Sequence, residues 1–495
     1  MSDATQKLSE KIRQLLSGGG PLEFVPVLLE EMPEVEWFLV GGMVRDALLD
    51  RVGRIDYDLV VRGVTLKRLR ARLEQMGKVD LVGKSFGVLK FAPQGHEGEP
   101  VVDIAWPRTE QAGMSGAYRD FSVMTDPDLP LAKDLSRRDY TVNAMAWDLK
   151  AERLIDLHGG LVDLEARRIK AVGVPVKRYQ EDLSRVLRGL RFACELGFEI
   201  EENTWEGILR SAPRLNDRLA DGRSVVPAET VAKEFLKSLV ADPLRTLELF
   251  DQSGVFEAMI PELMRLKGCP QTLPYHSEGD AWDHTKMALA SFGTEEFRRR
   301  FPGERPSVSA LLGVLFHDIG KPLTQQEREG RMTFWGHAET GARLVKDIAR
   351  RLRLSSVSGF EVSEAELGEL VSRHMFVHLV ELDKVKKTTL QRYYLDHEKL
   401  GRDLLHIGFA DTAASLRADG QPDFTQFDGL LSELRDLKRA GSEGGLVSGK
   451  DVMAELHVTP GPQVGRLLAA VREEQLRGGV TSTEEAKEFL RRLMG

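Results

Sequence analysis

The chain has 495 residues, 42% hydrophobic and 29% charged, the composition of an ordinary soluble protein with room for three or four domains and a buried core. Two cysteines, Cys194 and Cys269, exclude a disulfide framework and fit a reducing, cytoplasmic setting. No apolar run is long enough to span a bilayer, and the charged stretch from Met1 to Gly20 lacks a signal-peptide core, so no membrane association is expected. The net charge of −8 does not advertise a nucleic-acid binder, although binding needs a local basic face rather than a basic total.

From about Leu22 to Trp147, strand-like and helical patterns alternate, which predicts an α/β head. Phe38-Leu39-Val40 is an apolar run that stops at Gly41-Gly42, and Val44 to Leu49 has helical periodicity: strand, tight turn, helix. A Gly-Gly turn lets a backbone approach a ligand closely, and the first-turn N–H groups of the next helix suit phosphate. A second strand, Ile55 to Val61, carries Asp56 and Asp58, which the two-residue period places on one face, where paired carboxylates suit Mg²⁺. A Gly-Gly turn alone is usually only a turn, and an Asp-x-Asp alone a solvated strand end. Together, a phosphate cradle beside a carboxylate pair suggests two-metal phosphoryl or nucleotidyl transfer. Val101 to Trp106 is a third strand, whose Asp103 is either a further carboxylate near the pair or a strand-edge group. Pro107 to Leu131, with Arg108, Glu110, Tyr118 and Asp120, is rich in Gly, Ser, Asp and Pro and reads as a loop too long for a connector.

Arg137-Arg138-Asp139-Tyr140-Thr141-Val142-Asn143 follows. Its arginines offer paired donors to phosphate, and Asp139 and Asn143 can bond ribose hydroxyls; a capped helix start with solvated charges is the plainer reading. Glu181 to Phe192 reads as one helix with Asp182 and Arg185 on a shared face, which by itself is an ordinary (i, i+3) ion pair. Pro227 to Lys237 is an amphipathic helix assigned to structure rather than chemistry, and Val186 to Phe256 is all-helical.

In this order, the motifs resemble the polymerase-β-like head and neck of bacterial tRNA nucleotidyltransferases (class II CCA-adding enzymes) and poly(A) polymerases. The match to the RRDxTxNAMA pattern, Arg137 to Ala146, is nearly residue for residue. The resemblance implies Asp56 and Asp58 as the catalytic Mg²⁺ ligands, and Gly41, Gly42 and Arg45 around the triphosphate. It also implies Arg138, Asp139 and Asn143 on sugar and phosphates. Asp182 and Arg185 then become a protein template: an acceptor-only carboxylate beside a donor-only guanidinium complements cytosine and adenine and mismatches uracil and guanine. Arg188 is placed with the nucleotide-binding group, as a phosphate contact or a support. Residues 107–131 correspond to a mobile loop that helps switch nucleotide specificity. Here Asp120 is followed by Phe121-Ser122-Val123 rather than the family's Asp-x-Arg-Arg-Pro. Asp156-Leu-His-Gly-Gly-Leu-Val-Asp163 resembles the hinge between head and neck.

His276, His284, His317, His337, His374 and His378 fall close together, and His317-Asp318 follows the apolar run Ala310 to Phe316. His284, His317, Asp318 and Asp411 form the series of an HD-type metal phosphohydrolase, with His337 and His374 as candidates for a second metal position. Imidazole with carboxylate suits Mn²⁺, Ni²⁺, Fe²⁺ or Co²⁺ better than Mg²⁺. The resemblance here is to the HD segment of some CCA-adding enzymes, implying phosphatase or 2′,3′-cyclic phosphodiesterase work on RNA ends; the alternative is a metal-free fold that holds tRNA. His96, His158, His397, His406 and His457 carry no pattern. Ala440 to Gly445 reads as a linker before a tail with two short helices; the resemblance implies that this tail meets the tRNA elbow. The expected domains are therefore a head (20–150), a neck (151–268), an HD domain (269–420) and a tail (445–495). The expected activity is addition of C and A, from CTP and ATP, to the 3′ end of the tRNA acceptor arm. Addition of CC only or A only, a poly(A) polymerase, and an HD phosphohydrolase with a nucleotide-sensing head remain the alternatives.

Overall fold

The computed structural model describes residues 3–17, 19–51, 57–82, 87–96, 102–112, 121–271, 279–328, 331–441 and 445–494. They form two compact units, Met1–Met259 and Ile260–Gly495. Among them no helix is long and apolar enough to cross a membrane.

The first unit opens with helices α1 (Asp3–Ser17) and α2 (Phe24–Glu31), then β1 (Glu36–Val40), α3 (Gly42–Leu48), β2 (Tyr57–Arg62), α4 (Leu66–Leu73), β3 (Gly77–Val82), β4 (Val88–Pro93) and β5 (Val102–Ala105). Next come β6 (Arg108–Ala112), β7 (Phe121–Thr125), α5 (Leu131–Ser136), β8 (Met145–Asp148) and β9 (Arg153–Asp156). Seven of these strands make one sheet in the order β3-β4-β5-β2-β1-β8-β9. β1 lies between β2 and β8, and Trp37 to Val40 are all buried, which is why its sequence is an unbroken apolar run rather than an alternating one. Phe24 from α2 packs edge-on against Phe91 with ring centroids 4.7 Å apart. The β2–β5 pair is parallel and sets Asp58 opposite Asp103.

One sequence expectation is corrected here. Residues 107–131 contain a paired β-hairpin, β6 with β7, in register from Arg108↔Thr125 to Ala112↔Phe121. The β-favouring run Phe121-Ser-Val-Met-Thr drives this pairing, although the region's Gly, Ser and Pro content suggested loop. Tyr118 and Asp120 lie outside the described residues, as does Asp56.

The helical remainder of the unit holds α6 (Gly160–Glu165), α7 (Pro175–Glu181), α8 (Ser184–Leu196), α9 (Glu202–Ser211) and α10 (Ala228–Ala241). The single helix expected from Glu181 to Phe192 is broken. Asp182 is extended (φ −146°, ψ 105°) between α7 and α8, and its Oδ1 accepts the Ser184 N–H at 2.9 Å and the Ser184 hydroxyl at 2.6 Å. A short acidic side chain that takes up free N–H groups at a helix start ends one helix and begins the next. The hinge-like segment is pinned at its corner. Asp156 accepts the Gly160 and Leu161 N–H groups, and a Cβ on Gly160 would lie 2.3 Å from the Thr141 carbonyl oxygen.

In the second unit the helices Ala281–Ala290, Val308–Phe316, His337–Arg351, Glu364–Arg373 and Glu398–Ala414 pack as a bundle. The tail has three helices, Gly449–Leu456, Pro462–Leu476 and Thr483–Met494, not two, around a small core of Val452, Val471 and Leu490. It is tied to the bundle by Glu473, which accepts the N–H groups of Lys387 and Thr388 at 2.8 Å each.

Candidate active sites

The first unit holds a cavity of about 1750 Å³ lined by the strand ends, α3, α8 and α10. Gly41 forms its floor with φ +73°. A Cβ there would sit 2.9 Å from Arg138 Nη1 and 3.8 Å from Asp58 Oδ2, so the turn is open only because the residue is glycine. Asp58 is half-buried on β2, and Asp103 beside it accepts Lys90 Nζ at 2.9 Å from β4. Arg137 and Arg138 are both held by the buried carboxylate of Asp134, at 2.6 and 3.1 Å. Burial works against ionisation of Asp134, but the charges of Arg138 and Arg137 outweigh it and lower its pKa. Two guanidinium groups are thereby fixed at the cavity wall.

Several expected nucleotide contacts line this cavity and also bond one another. Arg45, buried, donates to Asn143 Oδ1 at 2.6 Å and grips Asp46 at 2.8 and 2.9 Å. Asp139 accepts Arg188 Nε at 2.7 Å on one oxygen and the Tyr140 N–H at 2.8 Å on the other. Burial opposes the Asp139 charge, yet the Arg188 charge and hydrogen bond hold its pKa at about 2. Arg45, Asn143, Asp139 and Arg188 thus form a chain leading from the turn to the middle of α8. Asp182 and Arg185 both line the cavity, each more than nine-tenths buried. Burial raises the Asp182 pKa, and Arg185 Nη1 is oriented by Glu181 Oε2 at 2.8 Å and the Arg178 carbonyl at 3.2 Å.

The helix assigned to structure alone also contributes. Thr230, Lys233, Glu234, Lys237 and Ala241 of α10 all line the cavity, at the three- and four-residue spacing of one helix face. Burial, together with Arg191 and Lys233, lowers the Lys237 pKa. The signal was present in the sequence: two lysines four residues apart, opposite the apolar stripe of Val231, Phe235 and Leu239.

The second unit gathers its histidines around two carboxylates. His284 Nε2 lies 3.2 Å from Asp411 Oδ1, His317 Nε2 3.3 Å from Asp318 Oδ2, and His337 Nε2 3.6 Å from Asp318 Oδ1. His378, which the motif reading left out of the ligand set, lies 2.9 Å from Asp411 Oδ2; its four-residue spacing from His374 on one helical stretch was the available sign. His276 is outside the described residues. The Nδ1 atoms of His317, His337 and His374 face the carbonyls of Val314, Phe334 and Val371 at 2.7, 2.9 and 2.6 Å. A carbonyl can only accept, so each Nδ1 carries the proton and each Nε2 turns a lone pair inward.

That arrangement fits a metal. His337 Nε2 and His374 Nε2 are two acceptors 3.2 Å apart, and buried His317 Nε2 has no hydrogen-bond partner among the described residues. A cation satisfies all three, whereas hydrogen bonding satisfies none. Ligand atoms fall into two close groups, His284–His317–Asp318 and Asp318–His337–His374, which share Asp318. Burial, with His317 and His337 nearby, pushes His374 down to about 3, so its ring is neutral and ready to ligate. Burial opposes the Asp318 and Asp411 charges, yet Lys321 beside Asp318 and His378 beside Asp411 lower both pKa values.

Residues 37–170 match the poly A polymerase head domain family, and residues 289–409 the HD domain family. A CC-adding tRNA nucleotidyltransferase of Thermus thermophilus is 35% identical over 369 residues, spanning 73% of this chain and 77% of that protein. The chain belongs to the tRNA nucleotidyltransferase family. A multifunctional CCA protein of Halorhodospira halophila is 34% identical over 350 residues, 70% of this chain and 74% of its own. Among solved structures, the Bacillus stearothermophilus CCA-adding enzyme in complex with CTP shares the fold, with a TM-score of 0.59 at 21% identity over 100% of this chain and 98% of that one. As a tRNA nucleotidyltransferase with an HD domain, the chain combines two modules of kinds that generally use divalent metals.

Proposed function

We propose that the first unit adds C and A to the 3′ end of tRNA from CTP and ATP, in the cytoplasm, by attack of the RNA 3′-hydroxyl on the nucleotide α-phosphate with pyrophosphate leaving. One observation carries the reading: Asp58, the open Gly41 turn with Arg138, and the Asp182–Arg185 pair all face a single cavity. Asp58, with Asp56 beyond the described residues, would hold Mg²⁺, which supplies charge neutralisation at the α-phosphate and a lowered pKa for the attacking hydroxyl. Arg137 and Arg138, fixed by Asp134, bind phosphate oxygens. The Arg45–Asn143–Asp139–Arg188 chain holds the turn in register with α8. Asp182 accepts from the exocyclic amine of C or A, and Arg185 donates to the adjacent ring nitrogen. Lys233 and Lys237 supply further positive charge for RNA or triphosphate.

The test offers three tRNAs, ending at the discriminator base, after C, and after CC, to each of the four nucleoside triphosphates. Products are read at single-nucleotide resolution. Stepwise C, C and A, with U and G refused, is expected, and Asp58→Ala should abolish incorporation while nucleotide binding largely survives. Unchanged turnover in that variant would remove the metal assignment. The similarity to a CC-adding relative favours a second reading, in which synthesis stops after the second C; the same gel distinguishes it.

We further propose that the histidine–aspartate cluster is a metal phosphohydrolase acting on phosphorylated or 2′,3′-cyclic RNA ends. His284, His317, Asp318, His337, His374 and Asp411, joined by His378, would hold Mn²⁺, Ni²⁺, Fe²⁺ or Co²⁺, and Lys321, 2.6 Å from Asp318, stands beside them as a further cation. Retention of the ligand groups supports this over a metal-free scaffold.

A further inference from the structure

Few large hydrophobic side chains of the second unit are exposed. Among the described residues they are Leu323 (53% exposed), Trp335 (77%), Leu379 (72%), Leu493 and Met494. The first three each fall within two residues of the metal cluster or its lysine: Leu323 after Lys321, Trp335 before His337, Leu379 after His378. Single exposed apolar residues are ordinary, but a nearly bare indole two residues from a candidate metal ligand is a notable feature.

Trp335 is held rather than loose. The His337 N–H and the His337 Nδ1–H both donate to the Phe334 carbonyl, at 3.1 and 2.9 Å, closing a tight turn over Trp335 and Gly336. Gly336, with φ 77° and ψ 17°, has the third-position geometry of a type II turn. Trp335 therefore occupies the outward corner of a turn whose closing residue is a candidate metal ligand. The Arg328 guanidinium lies 5.9 Å from the Trp335 ring centroid, and Lys321 Nζ lies 5.5 Å from the Phe334 ring. The exposed indole thus has a guanidinium beside it, and the ring before it in the chain lies near the lysine that contacts Asp318.

We propose that this turn is a nucleobase platform, on which Trp335 stacks the base of a nucleotide whose phosphate reaches the histidine–aspartate cluster and Arg328 adds a cation beside the stack. The proposal rests on the phosphohydrolase reading and adds to it how the site tells a nucleotide from a simple phosphate ester. Aromatic–base stacking is sequence-tolerant, so the platform favours purines modestly through their larger rings and excludes no base.

The experiment uses the full-length, manganese-loaded protein with Trp335→Ala and Trp335→Phe, manganese content serving as the folding control. Calorimetric titration with adenosine 2′,3′-cyclic phosphorothioate should show affinity lowered about tenfold in Trp335→Ala and restored to within about twofold by Trp335→Phe. In hydrolysis, the kcat/KM preference for adenosine 2′,3′-cyclic phosphate over glycerol 2-phosphate should fall by the same factor, through KM. Wild-type affinity in Trp335→Ala overturns the platform. Hydrolysis of both esters with equal preference in all three proteins overturns the platform and leaves the hydrolase standing. Base-dependent binding without hydrolysis of any ester does the reverse. The same loss is expected with a short RNA ending in a cyclic phosphate; a loss with that RNA and not with the mononucleotide overturns the stacking of a single base on Trp335.

Discussion

In the proposed function Asp182 accepts from the incoming base, and its surroundings make that selection depend on pH. Burial favours the neutral carboxyl, so its pKa lies above the ordinary value of about 3.9. The carboxylate is therefore lost on acidification before an exposed aspartate would lose its own. Once protonated, the group donates where it formerly accepted. It then opposes the amine of cytosine or adenine and suits a carbonyl of uracil or guanine. Asp139 cannot cause the same change, because Arg188 keeps it ionised down to about pH 2. We expect the ratio of U to C incorporation to rise as pH is lowered from 8 toward 5. Asp182→Asn should misincorporate to an extent that varies little over this range. A flat wild-type ratio down to pH 5 would sink the assignment of Asp182 as the base acceptor.

Helix α8 carries Arg185 of the proposed template pair and depends on one close approach. The Tyr140 hydroxyl donates to the Arg185 carbonyl at 2.6 Å and lies 3.2 Å from the Tyr179 hydroxyl. A Cβ on Gly189 would fall 2.1 Å from that Tyr140 oxygen. Gly→Ala within a helix normally gains about 1 kcal/mol, but overpacking a buried contact costs about 1–3 kcal/mol, and here the ring cannot retreat without breaking its hydrogen bonds. Gly189→Ala is expected to destabilise the protein in chemical denaturation, and Tyr140→Phe by about 1 kcal/mol; a stabilised Gly189→Ala would show that the ring moves freely. Such contacts explain what could and could not be read in advance. β1, its glycine turn and the helix before His317-Asp318 were legible because local apolar runs specify them. The pairing of Asp58 with Asp103 was not, since it depends on which distant strand lies alongside. The break at Asp182 was hidden because polar residues keep their helical spacing across it. The β6–β7 hairpin was hidden because its strands flank a stretch rich in turn residues. The candidate histidine ligands were legible from residue type, whereas Lys233 and Lys237 were missed because a charged helix face resembles a solvated one.

At the scale of the molecule, each proposed chemistry draws its residues from one compact unit. The cavity residues run from Lys11 to Ala241, within Met1–Met259, and the cluster from His284 to Asp411, within Ile260–Gly495. The donor types also differ: carboxylate oxygens of Asp58 and Asp103 in the cavity, and mostly imidazole nitrogen around Asp318. Hard oxygen sites take Mg²⁺, and imidazole-rich ones take later divalent metals more strongly. Chelated protein given Mg²⁺ alone is therefore expected to recover nucleotide addition and little phosphohydrolysis. Added Mn²⁺ or Ni²⁺ should then restore hydrolysis. Asp58→Ala should lose nucleotide addition and keep hydrolysis, and Asp318→Ala should do the opposite, because no ligand is shared between the two sites. Loss of nucleotide incorporation in Asp318→Ala, with its fold intact by circular dichroism, would show that the cluster is the working centre and the head a nucleotide sensor. Retained incorporation with abolished hydrolysis would establish one chain with two independent metal enzymes, the first building a tRNA end and the second trimming phosphates from RNA ends.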